Sequence, residues 1–600
     1  MGVSRLYKVG SPYNAAELAE IDFEQSTDTM YIAHIDHAPT KLVRSGHTSW
    51  AFVEVVFGPT VAVPASVTGS ATVANTDVEN DGAAYFPQPS SYVVTAYVDS
   101  TGQESRASAE VTLTNDLQLR RNYNTVTWSA VTGADRYRVY KAENSQNFGY
   151  IGTTEELTFR DDNIGPAYDE SPPIGDNPFA AAGDYPQTFT FFEQRAIWAG
   201  TRNKPNGVWG SRSADFENMD FSRPLRSTDA LSFALVAGRV NTVNQLVSVT
   251  DLLALTSDSI FKVSGGSGED YLTATQVRAR RQVGRGSSRL SPLVIDNVVF
   301  YKPVTGASVR TIGYSFDVDG YDTSDISIFS PHFFEGHDIA SWAYAQEPRS
   351  VIWAVRDDGA LLCFTWEKEQ QVWGWTLCET DGLFKSVCVI SENGEDRLYA
   401  VVERVIEGVT QTYIERMASA TFTDSADCCF LDSAVSFAFD APQTTFGNLH
   451  HLEGRSVAAV VDGNVVTGLT VSNGSVTLPE FVAPATRATV GLAYDAYIET
   501  LPVVMQGRDG SNQGKRSDVG EVVIRVHKTR NIMVGRSLDS LSEVKNRELE
   551  AYDASEALFT GDYDQAMEPL TSGEANVVIK SAVPMPMTIL GVFLDPVTTG

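Results

Sequence analysis

The sequence predicts an all-β, multidomain chain of propeller-like β-hairpin repeats with a β-sandwich module. Three observations predict it. Helical periodicity is almost absent across the 600 residues, and short alternating strands bounded by Gly, Asn, Asp and Pro run from end to end. Hairpins with aromatic residues also recur every roughly 45–60 residues between positions 186 and 425, as blades of a propeller would.

The length suits about four domains. A hydrophobic content of 42%, with 10% aromatic, supports real cores. Lys+Arg number 45 against Asp+Glu 76, a net charge of −31. That sign argues against a protein that grips nucleic acid by neutralising phosphates, because counterion release needs clustered Lys and Arg. It suits a wall past which DNA slides, and it also keeps a large β protein soluble. Residues 1–10 (MGVSRLYKVG) lack an apolar signal core, and Leu6 stands where a myristoylation motif after Gly2 needs Ser or Thr. The longest apolar runs, such as Val298–Tyr301 and Ile589–Leu594, fall far short of a membrane span. Cys363, Cys378, Cys388, Cys428 and Cys429 form neither a disulfide framework nor a zinc pattern, which predicts reduced, mostly buried thiols.

Residues 1–87 form the first β region. Thr29–Ala33 is a β-branched and aromatic run, Ile35–Pro39 a turn, Lys41–Arg44 a second strand, and Ser45–Ser49 a turn landing on Trp50 as anchor. Ala15–Glu20 reads as a helical turn, with weaker helical signals at Leu538–Ala551 and Ala554–Leu558. Residues 88–173 read as the sandwich. Tyr92–Tyr97 and Tyr137–Lys141 are strands, Asp99–Ser105 is a hairpin turn, and Thr125–Trp128 carries a buried tryptophan.

Residues 174–425 carry the repeats. Arg195–Ser213 places a Trp on each strand, Leu252–Val263 turns at Asp258, and Val298–Tyr314 turns at Thr305–Gly306. Val351–Trp366 turns at Asp358–Gly359, the strongest short hairpin signal, and Arg397–Arg416 ends the series. Residues 426–536 form a sandwich-like domain with turns at Asp462–Asn464, Asn473–Gly474 and Asp509–Gly510, and 537–600 a C-terminal β segment.

Two resemblances follow. TVTWSAVTGADRYRVYK (125–141) and FRDDNIGP with Pro172–Pro173 resemble fibronectin type III modules, which implies an interaction or spacer role without chemistry. The wording DFEQSTDTMYIAHIDHAPTKLVRSGHTSW (22–50) resembles the tail nozzle, or tail tubular protein B, family of short-tailed (podovirus-type) bacteriophages. Residues 451–463, 491–502 and 584–595 resemble it as well. The family resemblance implies a non-enzymatic virion protein, assembled in the host cytoplasm as a ring that is typically sixfold. Such a ring encloses the distal DNA-ejection channel and retains and releases the genome. The implied partners are further copies of the chain, the tail adaptor, tail fibres or spikes, and double-stranded DNA passing without sequence-specific binding. Family members usually carry a further segment ahead of the Met30–Trp50 unit; either the start here is a truncation or, if that segment serves to dock the ring, docking here is expected to use another surface or another chain.

Candidate chemistry is thin. Asp317–Asp322 with Asp325 resembles a calcium loop, but its Gly falls fourth instead of sixth, so an inter-blade turn is the expectation. His34, Asp36, His37 and His47 have no metal-ligand spacing, and His450 and His451, read as strand residues, face opposite sides. Gly284–Arg289 lacks a third Gly, and the residues around Ser267 fail the nucleophile-elbow pattern at Glu269. No cofactor is implied. One charge feature stands out: Arg278, Arg280, Arg281, Arg285 and Arg289 cluster between Asp270 and Asp296 with no acid among them. Such a cluster serves either a contact with an acidic subunit or domain, or a channel-facing loop that touches phosphate. The alternative to a nozzle is a phage-associated or secreted carbohydrate-active propeller enzyme with a fibronectin-type module, with Trp353, Trp366, Trp373 and Trp375 stacking on sugars.

Overall fold

The computed structural model describes residues 7–76, 84–143, 147–236, 241–266, 271–504, 506–507, 510–511, 517–544, 555, 557–567 and 576–598. The chain divides into two compact units, Arg5–Glu335 and Gly336–Gly600, and both are all-β. Helical structure among the described residues is confined to 3-10 turns, and none is long and apolar enough to cross a membrane. The expected turn at Ala15–Glu20 shortens to Leu18–Glu20. Leu541–Glu543, inside the expected helix Leu538–Ala551, is a strand, and 545–551 lie outside the described residues. So do Ala554 and Glu556 of the other candidate, whose described residues carry no helix.

Sheets that run in chain order dominate. The first meander is Asp22–Ser26, Thr29–His34, His37–Gly46 and Ser49–Glu54. The second is Thr188–Phe192, Arg195–Ala199, Gly207–Gly210 and Leu231–Ala234. The third is Val243–Ser248, Leu252–Thr256, Ile260–Ser264 and Arg278–Val283, and the fourth Leu293–Ile295, Val298–Tyr301, Arg310–Ser315 and Gly320–Asp325. In the second unit Ile339–Ala345, Val351–Arg356, Leu361–Glu367 and Val372–Cys378 form the fifth. Leu383–Glu392, Glu395–Ile406 and Val409–Arg416 form a three-stranded sixth. Four of the five expected repeat hairpins are the central pair of one meander, and Arg397–Arg416 forms the last two strands of the sixth. The Asp358–Gly359 turn shows why its glycine is needed: φ is +87°, and an added Cβ would sit 2.7 Å from that of Leu383.

Period-two alternation explains how the sheets stack. In Leu252–Thr256, Leu252 and Ala254 join a core with Ile197 and Val208 of the second meander. Leu253 and Leu255, on the opposite face, join Val299, Tyr301 and Ile312 of the fourth. A strand covered on both sides therefore reads as an unbroken apolar run. Between the first and second meanders the core is aromatic, with Tyr31, Phe189, Trp198 and Trp209 buried together and the Phe189 and Trp198 rings 4.2 Å apart. Full burial of each such side chain contributes about 1.5–3 kcal/mol. In the second unit Val355, Leu361, Leu398 and Val402 fill the same role between the fifth and sixth meanders.

The sandwich has seven strands in two sheets. Gly149–Thr154, Arg136–Glu143, Gln88–Tyr97 and Val111–Asn115 make one, and Thr158–Asp161, Tyr123–Thr127 and Thr68–Thr72 the other. Its first strand thus lies ahead of residue 88, in the region assigned to 1–87. TGSAT carries no apolar alternation, and only its pairing with Tyr123–Thr127 makes it a strand. Trp128 is buried as expected. Arg106 of the sandwich grips the fully buried Asp220, which precedes the last strand of the second meander, through Nε at 2.9 Å and Nη2 at 2.7 Å. Gly175 is required there, because a Cβ would fall 2.5 Å from the Arg106 Nε.

The expected boundary at 536/537 is also corrected. Ser517–Thr529 pairs with both Phe559–Ala566 and Ile589–Thr598, and Ile532–Gly535 pairs with Val578–Ser581. The C-terminal segment is therefore interleaved with the preceding strands, and the division falls earlier, between Ala485–Leu492 and Tyr497–Glu499. The Asp462–Asn464 and Asn473–Gly474 turns are present, whereas Asp509 lies outside the described residues. All five cysteines are free, but only Cys428 is buried and Cys388 is exposed, because successive residues of Leu383–Glu392 face opposite sides.

Inside the sandwich Lys141 and Asp161 are both fully buried and lie 3.0 Å apart. Asp161 also accepts from the Tyr92 hydroxyl at 2.7 Å, and Lys141 donates to the Ile164 carbonyl at 3.1 Å. Lys141→Met leaves a buried carboxylate without its counter-ion and is expected to cost about 3–5 kcal/mol in denaturant unfolding. Lys141→Met with Asp161→Leu should recover most of that loss; a single variant as stable as the parent would contradict the pairing.

Candidate docking surface

The segment Asp22–Trp50 builds most of the first meander, and two of its acids fasten it to the second. Asp22 Oδ2 accepts from the Thr188 hydroxyl at 2.6 Å and the Phe189 N–H at 3.0 Å. Glu24 does the same one step along, from Thr190 at 2.9 Å and the Phe191 N–H at 2.8 Å. Thr188 Oγ1 in turn accepts from the Leu246 N–H of the third meander. Gln245 Nε2 donates to the Arg289 carbonyl at 2.7 Å, and the Arg289 guanidinium returns to Glu20 at 2.8 Å. Side chains thereby link the leading strands of three meanders and the approach to the fourth. Burial lifts Asp22 to about 6 and raises Glu24 as well, against the pull of their hydrogen bonds. Trp50 is not the anchor expected: it lies half-exposed beneath Arg44, with Nε1 donating to the His47 carbonyl. Tyr31 anchors instead, its hydroxyl 2.8 Å from Glu217, which also binds Lys41 at 2.6 Å.

The five arginines do not act as one group. Arg278, Arg280 and Arg281 lie on Arg278–Val283, the last strand of the third meander. Arg285 and Arg289 follow in the loop. Arg289 is committed to Glu20, and Arg281 lies 3.7 Å from Asp258. Arg278 and Arg280 stand exposed on the other face of the strand. Arg280 sits directly across from Lys262, a like-charged pairing of the kind that destabilises a sheet. Asp251 neutralises Lys262 alone, at 2.8 Å.

Beside this strand projects the turn between Arg310–Ser315 and Gly320–Asp325. Gln282 Oε1 accepts from the Tyr321 N–H at 3.2 Å, which seats the turn against the arginine strand. Asp319 accepts from the Tyr314 hydroxyl at 2.6 Å and fixes its shape. Phe316 is 89% exposed and Val318 65%. This is the Asp317–Asp322 segment expected between blades; it is a hairpin turn within the fourth meander, since its flanking strands pair with each other. Sequence reasoning noticed its acids and missed its apolar tip, although Phe316 and Val318 alternate with Asp317 and Asp319 in plain view.

The other candidate groups disperse. His37 meets Glu17 at 3.1 Å, Asp36 meets Arg202, His47 lies 3.3 Å from Arg44, and buried His34 accepts from the Asp36 N–H. His450 and His451 sit on a 3-10 turn, not a strand, and with Tyr413 and Glu453 line a groove of about 570 Å³. A second cavity of about 390 Å³ is lined by Trp209, Met219, Phe221 and Leu225, with Asp176 and Arg223 its only charged groups. His337 lies 3.4 Å from Asp357 and 3.6 Å from Asp358, an exposed cluster in which Arg356 already holds Asp358 down to about 2. Gly286 of the Gly284–Arg289 run packs on the Ser257 backbone, where a Cβ would fall 2.0 Å from its carbonyl oxygen. Ser267 and Glu269 lie outside the described residues. Trp366 and Trp375 are buried, Trp353 is partly covered, and Trp373, the most open of the four, packs on Trp366 at 5.7 Å.

No protein-family model matches the chain, and no curated protein sequence matches it. Among solved structures it is similar to the periplasmic gluconolactonase PpgL of Pseudomonas aeruginosa at 12% identity and a TM-score of 0.25, over 55% of this chain and 99% of that one. It is also similar to a chain in a Saccharomyces cerevisiae complex of Dbp5 with Nup159, Gle1, IP6 and ADP, at 7% identity and a TM-score of 0.22. That match covers 38% of this chain, which spans 60% of the yeast one.

The buried acids set a pH dependence. Asp22 starts from 3.8 when unfolded and rises to about 6 in the fold. The folded state therefore binds the proton more tightly, and the stability this gives is complete below about pH 4 and lost as pH climbs through about 6. Asp22→Asn keeps an acceptor for Thr188 and Phe189 but cannot titrate. It is expected to flatten the fall in Tm between about pH 4 and pH 6; identical slopes in variant and parent would refute the assignment.

Proposed function

We propose that the chain is a structural virion protein: a subunit of the tail nozzle ring of a short-tailed bacteriophage, forming the distal channel that retains the genome and releases it on infection. One observation carries this reading, the resemblance of residues 22–50 to the nozzle family. That segment supplies the acids, Asp22 and Glu24, on which the joint between the first two meanders turns. The charge balance of −31 is in keeping with a conduit, because carboxylate-rich walls repel a passing duplex instead of holding it. The partners are further copies of the chain in a closed ring, a hexamer by family resemblance, the tail adaptor and the fibres or spikes. Double-stranded DNA is cargo, passed without reading of its sequence.

Negative-stain microscopy of the purified full-length chain over a concentration series tests the reading. Closed rings with a stain-filled lumen are expected. A chain that stays a compact monomer at every concentration would overturn it.

A further inference from the structure

We infer that the strand Arg278–Val283 and the adjoining turn at Phe316–Asp319 form the face by which one subunit docks onto an acidic surface of the next copy. The inference rests on the ring reading above and names the contact that closes the ring. Three observations converge on it. Arg278 and Arg280 are exposed, and Arg280 lies across from Lys262, whose charge Asp251 meets at 2.8 Å, so among the described residues no ion pair holds Arg278 or Arg280. Phe316 and Val318 stand 89% and 65% exposed on a turn held rigid by the Tyr314–Asp319 and Gln282–Tyr321 hydrogen bonds. Preorganised apolar side chains beside exposed arginines have the make-up of a protein interface core, in which aromatic residues and Arg are enriched. The strand also lies last in its meander, away from the leading strands Asp22–Ser26, Thr188–Phe192 and Val243–Ser248, which pack on one another. It therefore belongs to the rim.

Charge selects the occupant. Among the described residues no acid pairs with Arg278 or Arg280, so a partner for their guanidiniums must be acidic, and a second copy of this chain brings a net −31. The arginine strand cannot face its own image, since like charges would meet, so the contact joins unlike surfaces. Contacts of that kind close into rings when their rotation permits. A DNA backbone would also satisfy the arginines, but it offers nothing to cover Phe316 and Val318.

Two variants of the full-length chain test the inference by sedimentation velocity: Arg278→Glu with Arg280→Glu, and Phe316→Ser. All three side chains are exposed, so thermal melting should match the parent. Both variants are expected to weaken self-association by about tenfold or more. For the parent, raising the salt should weaken it too. A parent that assembles while both variants assemble equally well overturns this docking face and leaves the ring reading standing. A parent that never assembles overturns the ring reading itself. A random-sequence duplex that binds the parent but not the arginine variant, with assembly unchanged, overturns the inference in favour of a phosphate-contacting surface.

Discussion

The first unit depends on how sheets without a shared backbone ladder are held in register. Stacked meanders offer each other only side chains, and apolar contact between them is non-directional. Asp22 supplies direction. It takes a hydroxyl and an N–H from the second meander, while that same hydroxyl takes an N–H from the third. Hydrogen bonds to a carboxylate are worth about 1.5–3 kcal/mol each, and here they also fix which residue of one sheet faces which residue of the next. Glu24 repeats the pattern and removes any freedom to slide.

With register fixed, the alternation of each strand decides the rest. Leu252 and Ala254 face one neighbour, and Leu253 and Leu255 the other. Arg195 illustrates how polar demands are met inside the stack. Buried within the second meander, it donates to the carbonyls of Ser211, Ser227 and Asp229, which tie the second strand to the approach of the fourth. Arg106 plays the equivalent part at the sandwich, where Asp220 would otherwise be a buried, unpaired charge.

What could be read from the sequence was what is local. The Asp358–Gly359 turn, the paired Trp198 and Trp209, and the buried Trp128 follow from residues within one hairpin or strand. What could not be read depends on distant partners. Thr68–Thr72 shows no pattern of its own and becomes a strand through residues more than fifty positions later. The C-terminal boundary failed for the same reason, since Ser517–Thr529 is sandwiched by strands that follow it. The arginine cluster was legible as composition. Its division into committed residues, Arg281 and Arg289, and exposed ones, Arg278 and Arg280, depends on where Asp258 and Glu20 fall in space.

The insertion of the sandwich between the first two meanders has a consequence for how the chain is made. Asp22 and Thr188 are 166 residues apart, and most of that interval is the sandwich. On a ribosome, which adds roughly 5–20 residues each second, the leading sheet emerges many seconds before the strand that satisfies its carboxylates. A Tyr31 face awaiting Phe189 and Trp198 is exposed for that whole interval. The sandwich, able to close on its own core, then shortens the effective tether and lowers the entropy lost when the distant strand arrives. The sandwich would in this way act as a timing and tethering device during synthesis.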